Sequence, residues 1–151
     1  MFRKILVPFD ESESARHALE NAIDITADIE DAQITVLRVV DWHDFNEKSF
    51  EAVKQLSKEN GISPDQVDRK EANDLIERDM IQDLCIGTAD ITLGRQIDIK
   101  IAIGTPADEI IDESSKLGCD CIVMGHRVLW VIRGMLGSVA YAVLQKSEAP
   151  V

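Results

Sequence analysis

The chain has few aromatic side chains, only 5% of its residues. Its core must therefore be aliphatic, built from Ile, Val, Leu and Ala, the usual filling of a parallel sheet covered on both faces. Positive charge is also scarce: 16 Lys and Arg stand against 28 Asp and Glu, a net charge of −12. That balance argues against nucleic-acid backbone and an anionic membrane surface as partners. Any phosphate must then be held locally, by backbone N–H groups and a few cations. No segment reaches the ~18 consecutive apolar residues that cross a bilayer. Basic Arg3 and Lys4 precede an apolar run, but it stops at Pro8, short of the ~7–15 residues of a signal peptide's apolar region. It reads as a first strand.

Cysteine is sparse and odd in number: Cys85, Cys119 and Cys121. The C-x-C spacing of Cys119 and Cys121 is not a C-x-x-C redox pair. Three reduced thiols in a cytoplasmic protein are expected. No Cys/His cluster has ligand spacing, so no metal site is predicted. Absent too are a G-x4-G-K-[ST] loop and any readable Ser-His-Asp or paired-carboxylate arrangement, so the chain is not read as an enzyme. Its 151 residues suit a single domain spanning 1–151 with a full core.

The remaining pattern alternates strands with helices. Lys4 to Pro8 reads as strand one, with Pro8 where a missing N–H does little harm. Glu11 to about Asp28 reads as a helix with Ala15, Ala18, Leu19, Ala22, Ile23 and Thr26 on one stripe. Gln33 to Val40 is a continuous buried strand. Residues 41–96 are long for one crossover and predict an elaborated helical segment. One helix runs through Phe50, Val53 and Leu56 to Asn60-Gly61. Another spans Ala72 to about Leu84, and Thr88 to Arg95 reads as loop. Strand three is Ile97 to Ile103. Thr105-Pro106-Ala107-Asp108 is a helix start, with Thr105 as N-cap and Pro106 at the first helical position. Strand four is Cys119 to Met124, and a last helix starts near Ser138, with Val139, Ala142, Val143 and Leu144 inward. This order implies an α/β fold with a parallel sheet, which binds ligands outside the carboxyl ends of its strands. If strands one and four are neighbours, Asp10 and Gly125 face each other across one crevice.

The stretch Met124-Gly125-His126-Arg127 ends an apolar strand, and Gly137-Ser138-Val139 opens a helix. Glycine allows close backbone approach, and free N–H groups at a helix start suit an anion such as phosphate.

Four stretches resemble the universal stress protein family: Lys4–Asp10, Ile34–Val40, Gly104–Ile111, and Cys121–Arg127 with Gly137-Ser138. The resemblance covers most of the chain outside 41–96. It implies a Rossmann-like open twisted sheet of order 3-2-1-4(-5) with helices on both faces. It further implies a stress-response regulatory protein that binds an adenine nucleotide, ATP or AMP, with Mg²⁺ only alongside the nucleotide. A homodimer is implied through a fifth strand, which the family carries beyond the position of Pro150-Val151. The candidate binding set is Pro8, Phe9, Asp10, Val40, Met124, Gly125, His126, Arg127, Gly137, Ser138 and Val139. Asp10 would accept from ribose or adenine, and Val40 would offer backbone groups to adenine. Gly125, Gly137 and Ser138 would donate to phosphate, while Arg127 would neutralise it and His126 would stack or hydrogen-bond. Trp42-His43 could shelve over the base from a loop.

The loop departs from the family's G-x2-G-x9-G-[ST] pattern. Val128 stands at the second glycine, and the spacing to Gly137 is one residue short. Were positive φ needed there, valine would cost about 1–2 kcal/mol. The alternative function is a non-nucleotide-binding interaction module of the same fold, with a protein partner engaging Leu129–Ile132.

Overall fold

The computed structural model describes residues 1–126 and 137–151. Four parallel strands lie in the order β3-β2-β1-β4. Strand β1 is Lys4–Pro8, β2 is Gln33–Val40, β3 is Asp98–Ile103 and β4 is Cys121–Ile122. The sequence places β1 and β2 at these same limits. The expected Cys119–Met124 strand is shorter, although the Asp120 and Val123 N–H groups still donate to the Lys4 and Leu6 carbonyls, both at 2.9 Å.

Alternation along the strands sorts their side chains onto two faces. Ile5 and Val7 of β1, Phe9 just after it, and Ile34 and Val36 of β2 share one cluster with Ala15, Ala18, Leu19 and Ala22. Those alanines and Leu19 belong to helix α1, Glu13–Ile25. Leu6 and Leu37 face the other way, against Ile110 and Val143. These come from α4 (Pro106–Leu117) and α5 (Ser138–Lys146). Leu144 is 51% exposed rather than inward; Ala140 and Val143 form the buried stripe of α5 instead.

Helix α1 is shorter at both ends than the expected Glu11–Asp28. Asp10 accepts the Ser12 N–H through Oδ1 at 3.0 Å, and Glu11 takes φ 67°, so the chain turns before it coils. Ser12 is the N-cap and accepts the Ala15 N–H at 3.2 Å. At the far end Arg95 donates to the carbonyls of Ile23 (3.2 Å) and Thr26 (3.3 Å), tying the end of α1 to the chain after α3.

Residues 41–96 form a helical pair. Helix α2 is Trp42–Asn60, capped by Asp41 and closed at left-handed Gly61. A 3-10 turn over Pro64–Gln66 leads to α3, Arg69–Thr92. Trp42 and His43 are therefore the first helical residues, not a loop. The expected loop from Thr88 is helical to Thr92. Thr88 and Ile91 are buried, and this packing overrides the weak helix preference of β-branched residues. Phe50 lies on the exposed side of α2, with the Lys54 ammonium 4.4 Å from its ring centre. Among the described residues no helix is long and apolar enough to cross a membrane.

Candidate functional site

A cavity of about 480 Å³ opens where β1, β2 and β4 end. The β1–α1 turn supplies Pro8, Phe9, Asp10, Ser12, Ser14 and Ala15; β2 supplies Leu37 and Val39. Pro106 and Ile110 come from α4, and Met124, Gly125 and His126 from the chain leaving β4. Gly137 and the first residues of α5, Ser138, Val139 and Ala140, close the ring. The volume falls within the ~300–1,000 Å³ of small-molecule sites.

Asp10 and Gly125 thus meet at one crevice, because β1 pairs with β4 in register Ile5 to Cys121 and Leu6 to Ile122. Pro8, Phe9, Met124, His126, Gly137, Ser138 and Val139 also line it. Val40 does not. It packs with Phe45, Ala52 and Val53 on the α2–α3 side, and its carbonyl accepts the Gly104 N–H at 2.9 Å. The strand period of two places Val39, one residue earlier, on the cavity side. Arg127, Val128 and the run Leu129–Ile132 lie outside the described residues. Sequence reasoning missed Ser12, Ser14, Leu37 and Val39. The parity of β2 would have selected the last two.

Gly125 has a reason other than a left-handed backbone. A Cβ there would stand 2.6 Å from the carbonyl carbon and oxygen of Ser14 and 2.7 Å from its Oγ. The glycine lets the chain leaving β4 touch the first turn of α1. The Ser14 and Ser12 hydroxyls are 3.1 Å apart, so this turn is tied internally at the cavity wall.

The start of α5 is different. Gly137 is its N-cap and offers no side-chain acceptor. The first backbone bond runs from the Tyr141 N–H to the Gly137 carbonyl at 2.9 Å. The N–H groups of Ser138, Val139 and Ala140 therefore have no acceptor within the helix, and all three residues border the cavity. Thr105 occupies the N-cap of α4 as expected, but without a side-chain bond.

The cysteines stand apart from the site. Cys121 is buried in the α1-side cluster, whereas Cys119 packs against the opposite one. Burial first, and the Asp120 carboxylate second, push both thiols above their ordinary value of 9.0. Cys85 is exposed. A grouping that the sequence did not suggest is His43, Asp44 and Glu47, all exposed, with ligand-type atoms within 4.8 Å of one another. Trp42 beside them is 61% exposed, meets Phe45 edge-on at 6.4 Å and does not line the cavity.

Comparison with known proteins agrees with this architecture. The sequence profile of the universal stress protein family matches residues 1–151. Universal stress protein MJ0531 of Methanocaldococcus jannaschii is 30% identical over 156 residues, covering 100% of this chain and 81% of that protein. The solved structure of MJ0577, from the same organism, superposes with TM-score 0.64 at 26% identity, over 100% of this chain and 94% of that one. A universal stress protein solved in complex with cAMP superposes with TM-score 0.57 at 20% identity, over 99% of this chain and 94% of that one. The chain belongs to the universal stress protein family.

Proposed function

We propose that this universal stress protein binds an adenine nucleotide in the cavity between β1 and β4 and acts as a regulator in a cytoplasmic stress response. The observation that carries the reading is the α5 start, where the N–H groups of Ser138, Val139 and Ala140, which have no acceptor within the helix, border a mostly apolar cavity. Such a helix start suits phosphate, while Leu37, Val39 and Ile110 offer apolar contact to a base. Asp10, which lines the cavity, would accept from a ribose in this reading. A family member in complex with cAMP makes the ligand class plausible. Mg²⁺ would enter only with a polyphosphate ligand.

Binding rather than catalysis is the output in this reading. Occupancy would change how the protein meets a second copy of itself. The Ile122 N–H, on the side of β4 away from β1, donates to the Pro150 carbonyl of the same chain at 2.8 Å. Tyr141, Leu144 and Val151 are exposed, and we propose a homodimer through this edge.

The test is calorimetric titration of the purified protein with AMP and with ATP plus Mg²⁺, alongside sedimentation of the free and loaded forms. Saturable heat supports the reading. No heat with either nucleotide favours the interaction-module alternative, which Val128 in the loop would explain.

A further inference from the structure

We propose that the open edge of β3 pairs antiparallel with β3 of a second copy of this chain. The inference is independent of the nucleotide reading and concerns the sheet edge opposite β4. Among the described residues β3 has a strand on one side only, β2.

The backbone of β3 is presented for pairing. The Gly104 N–H donates to the Val40 carbonyl at 2.9 Å. Even-numbered residues therefore turn their backbone groups to β2, and Ile99, Ile101 and Ile103 turn theirs outward. Pairing with β2 runs unbroken from Asp98 to Ile103, so no bulge bends the edge away, and no proline interrupts it. The isoleucine side chains are incompletely covered. Ile99 stands beside Val36; Val36 is fully buried, whereas Ile99 and Ile101 remain partly exposed.

The charges choose the occupant and the register. Asp98 and Lys100 lie on the other face of the strand, both exposed. A lysine on an edge ordinarily deters pairing. With the two-fold axis at Ile99, however, Asp98 of each copy stands directly opposite Lys100 of the other. The outward backbone groups of Ile99 then bond to those of its counterpart. The charged residues form the closer, non-hydrogen-bonded pair, with Cα atoms about 4.5 Å apart. On the opposite face Ile97 meets Ile101 and Ile99 meets its own copy, as β-branched cross-strand pairs. Moving the axis to Asp98 or to Lys100 keeps the hydrogen bonds but sets like charges opposite each other. Lys100 lies 3.4 Å from Glu113, and its ammonium has donors left for an aspartate across the interface. Identical edges meeting about a two-fold axis form a closed pair.

The experiment is sedimentation equilibrium of the full chain and two charge variants, without nucleotide. Asp98→Lys makes the edge basic and Lys100→Glu makes it acidic. Each should self-associate at least about tenfold more weakly than the unsubstituted chain. An equimolar mixture of the two should recover association through mixed pairs. Melting curves check that both variants fold. Register is read separately by cysteine placement in a Cys85→Ser background. Ile99→Cys on the axis puts the two Cα atoms about 5.5 Å apart, inside disulfide range, and should link two chains under glutathione disulfide. Lys100→Cys, with its two copies about 8 Å apart in this register, should not. Unchanged association in the charge variants, no recovery in the mixture, or equal linking at 99 and 100 would overturn the proposal. So would an unsubstituted chain that stays monomeric throughout, which would leave the edge to a strand of another protein.

Discussion

Gly125 lies backbone against backbone with Ser14: a Cβ on the glycine would sit 2.6 Å from the serine carbonyl. The contact joins the exit of β4 to the start of α1 across the cavity wall. Gly125→Ala must push these segments apart. We expect a loss of about 1–3 kcal/mol, typical of overpacking, read as a lower urea midpoint with unchanged slope. An unchanged midpoint would show that the contact yields freely.

Gly87 provides the opposite case. It lies inside α3, and a Cβ there would meet nothing within 4 Å. Gly87→Ala should stabilise the protein by about 0.5–1 kcal/mol, because alanine loses less backbone entropy in a helix. Thermal melting of the two alanine variants side by side should move in opposite directions.

Asp10 shapes the turn that enters the cavity by accepting the Ser12 N–H at 3.0 Å. Asp10→Ala removes that acceptor and should cost about 0.5–1.5 kcal/mol. Asp10→Asn keeps an acceptor oxygen and should cost less. In nucleotide titrations Asp10→Ala should also weaken binding. Equal melting points for the two variants would mean that the turn does not depend on this bond.

The thiols give a pH dependence with a fixed sign. Burial raises Cys119 and Cys121 above 9.0, so the folded state holds these protons more tightly than the unfolded chain. Their contribution to stability is complete below pH 9 and is lost as pH rises toward the folded values. Urea midpoints should fall on the alkaline side, and less steeply in Cys121→Ala. Exposed Cys85 should react first with iodoacetamide at neutral pH, with Cys119 and Cys121 following only on unfolding. Equal labelling of all the thiols in the native protein would contradict this.

The parts of the fold most legible in the sequence were those with uniform local chemistry. Gln33–Val40 is rich in β-branched residues, and its limits match the structure. Thr105-Pro106 and left-handed Gly118 bracket α4, although Thr105 makes no side-chain cap bond. The start of α1 was misplaced because Asp10 and Glu11 look like helix-opening acids, yet Asp10 spends its carboxylate on a turn. The length of α3 was hidden for a different reason: Thr88 and Ile91 are helical through burial, which local preference does not reveal. At the site, adjacency of β1 and β4 made Asp10 and Gly125 readable as a pair. Family resemblance points to Val40 for its backbone groups, whereas strand parity decides side-chain faces and turns Val39 toward the cavity.

The most direct measurement of the central claim is the melting temperature of the purified protein with and without saturating adenine nucleotide. At one hundred times the dissociation constant, a ligand bound only by the folded state adds about 2.7 kcal/mol. The account predicts a clear upward shift with AMP that disappears when the cavity is altered at Asp10 and Ser138. Identical melting curves with AMP, with ATP plus Mg²⁺ and with no ligand would contradict it.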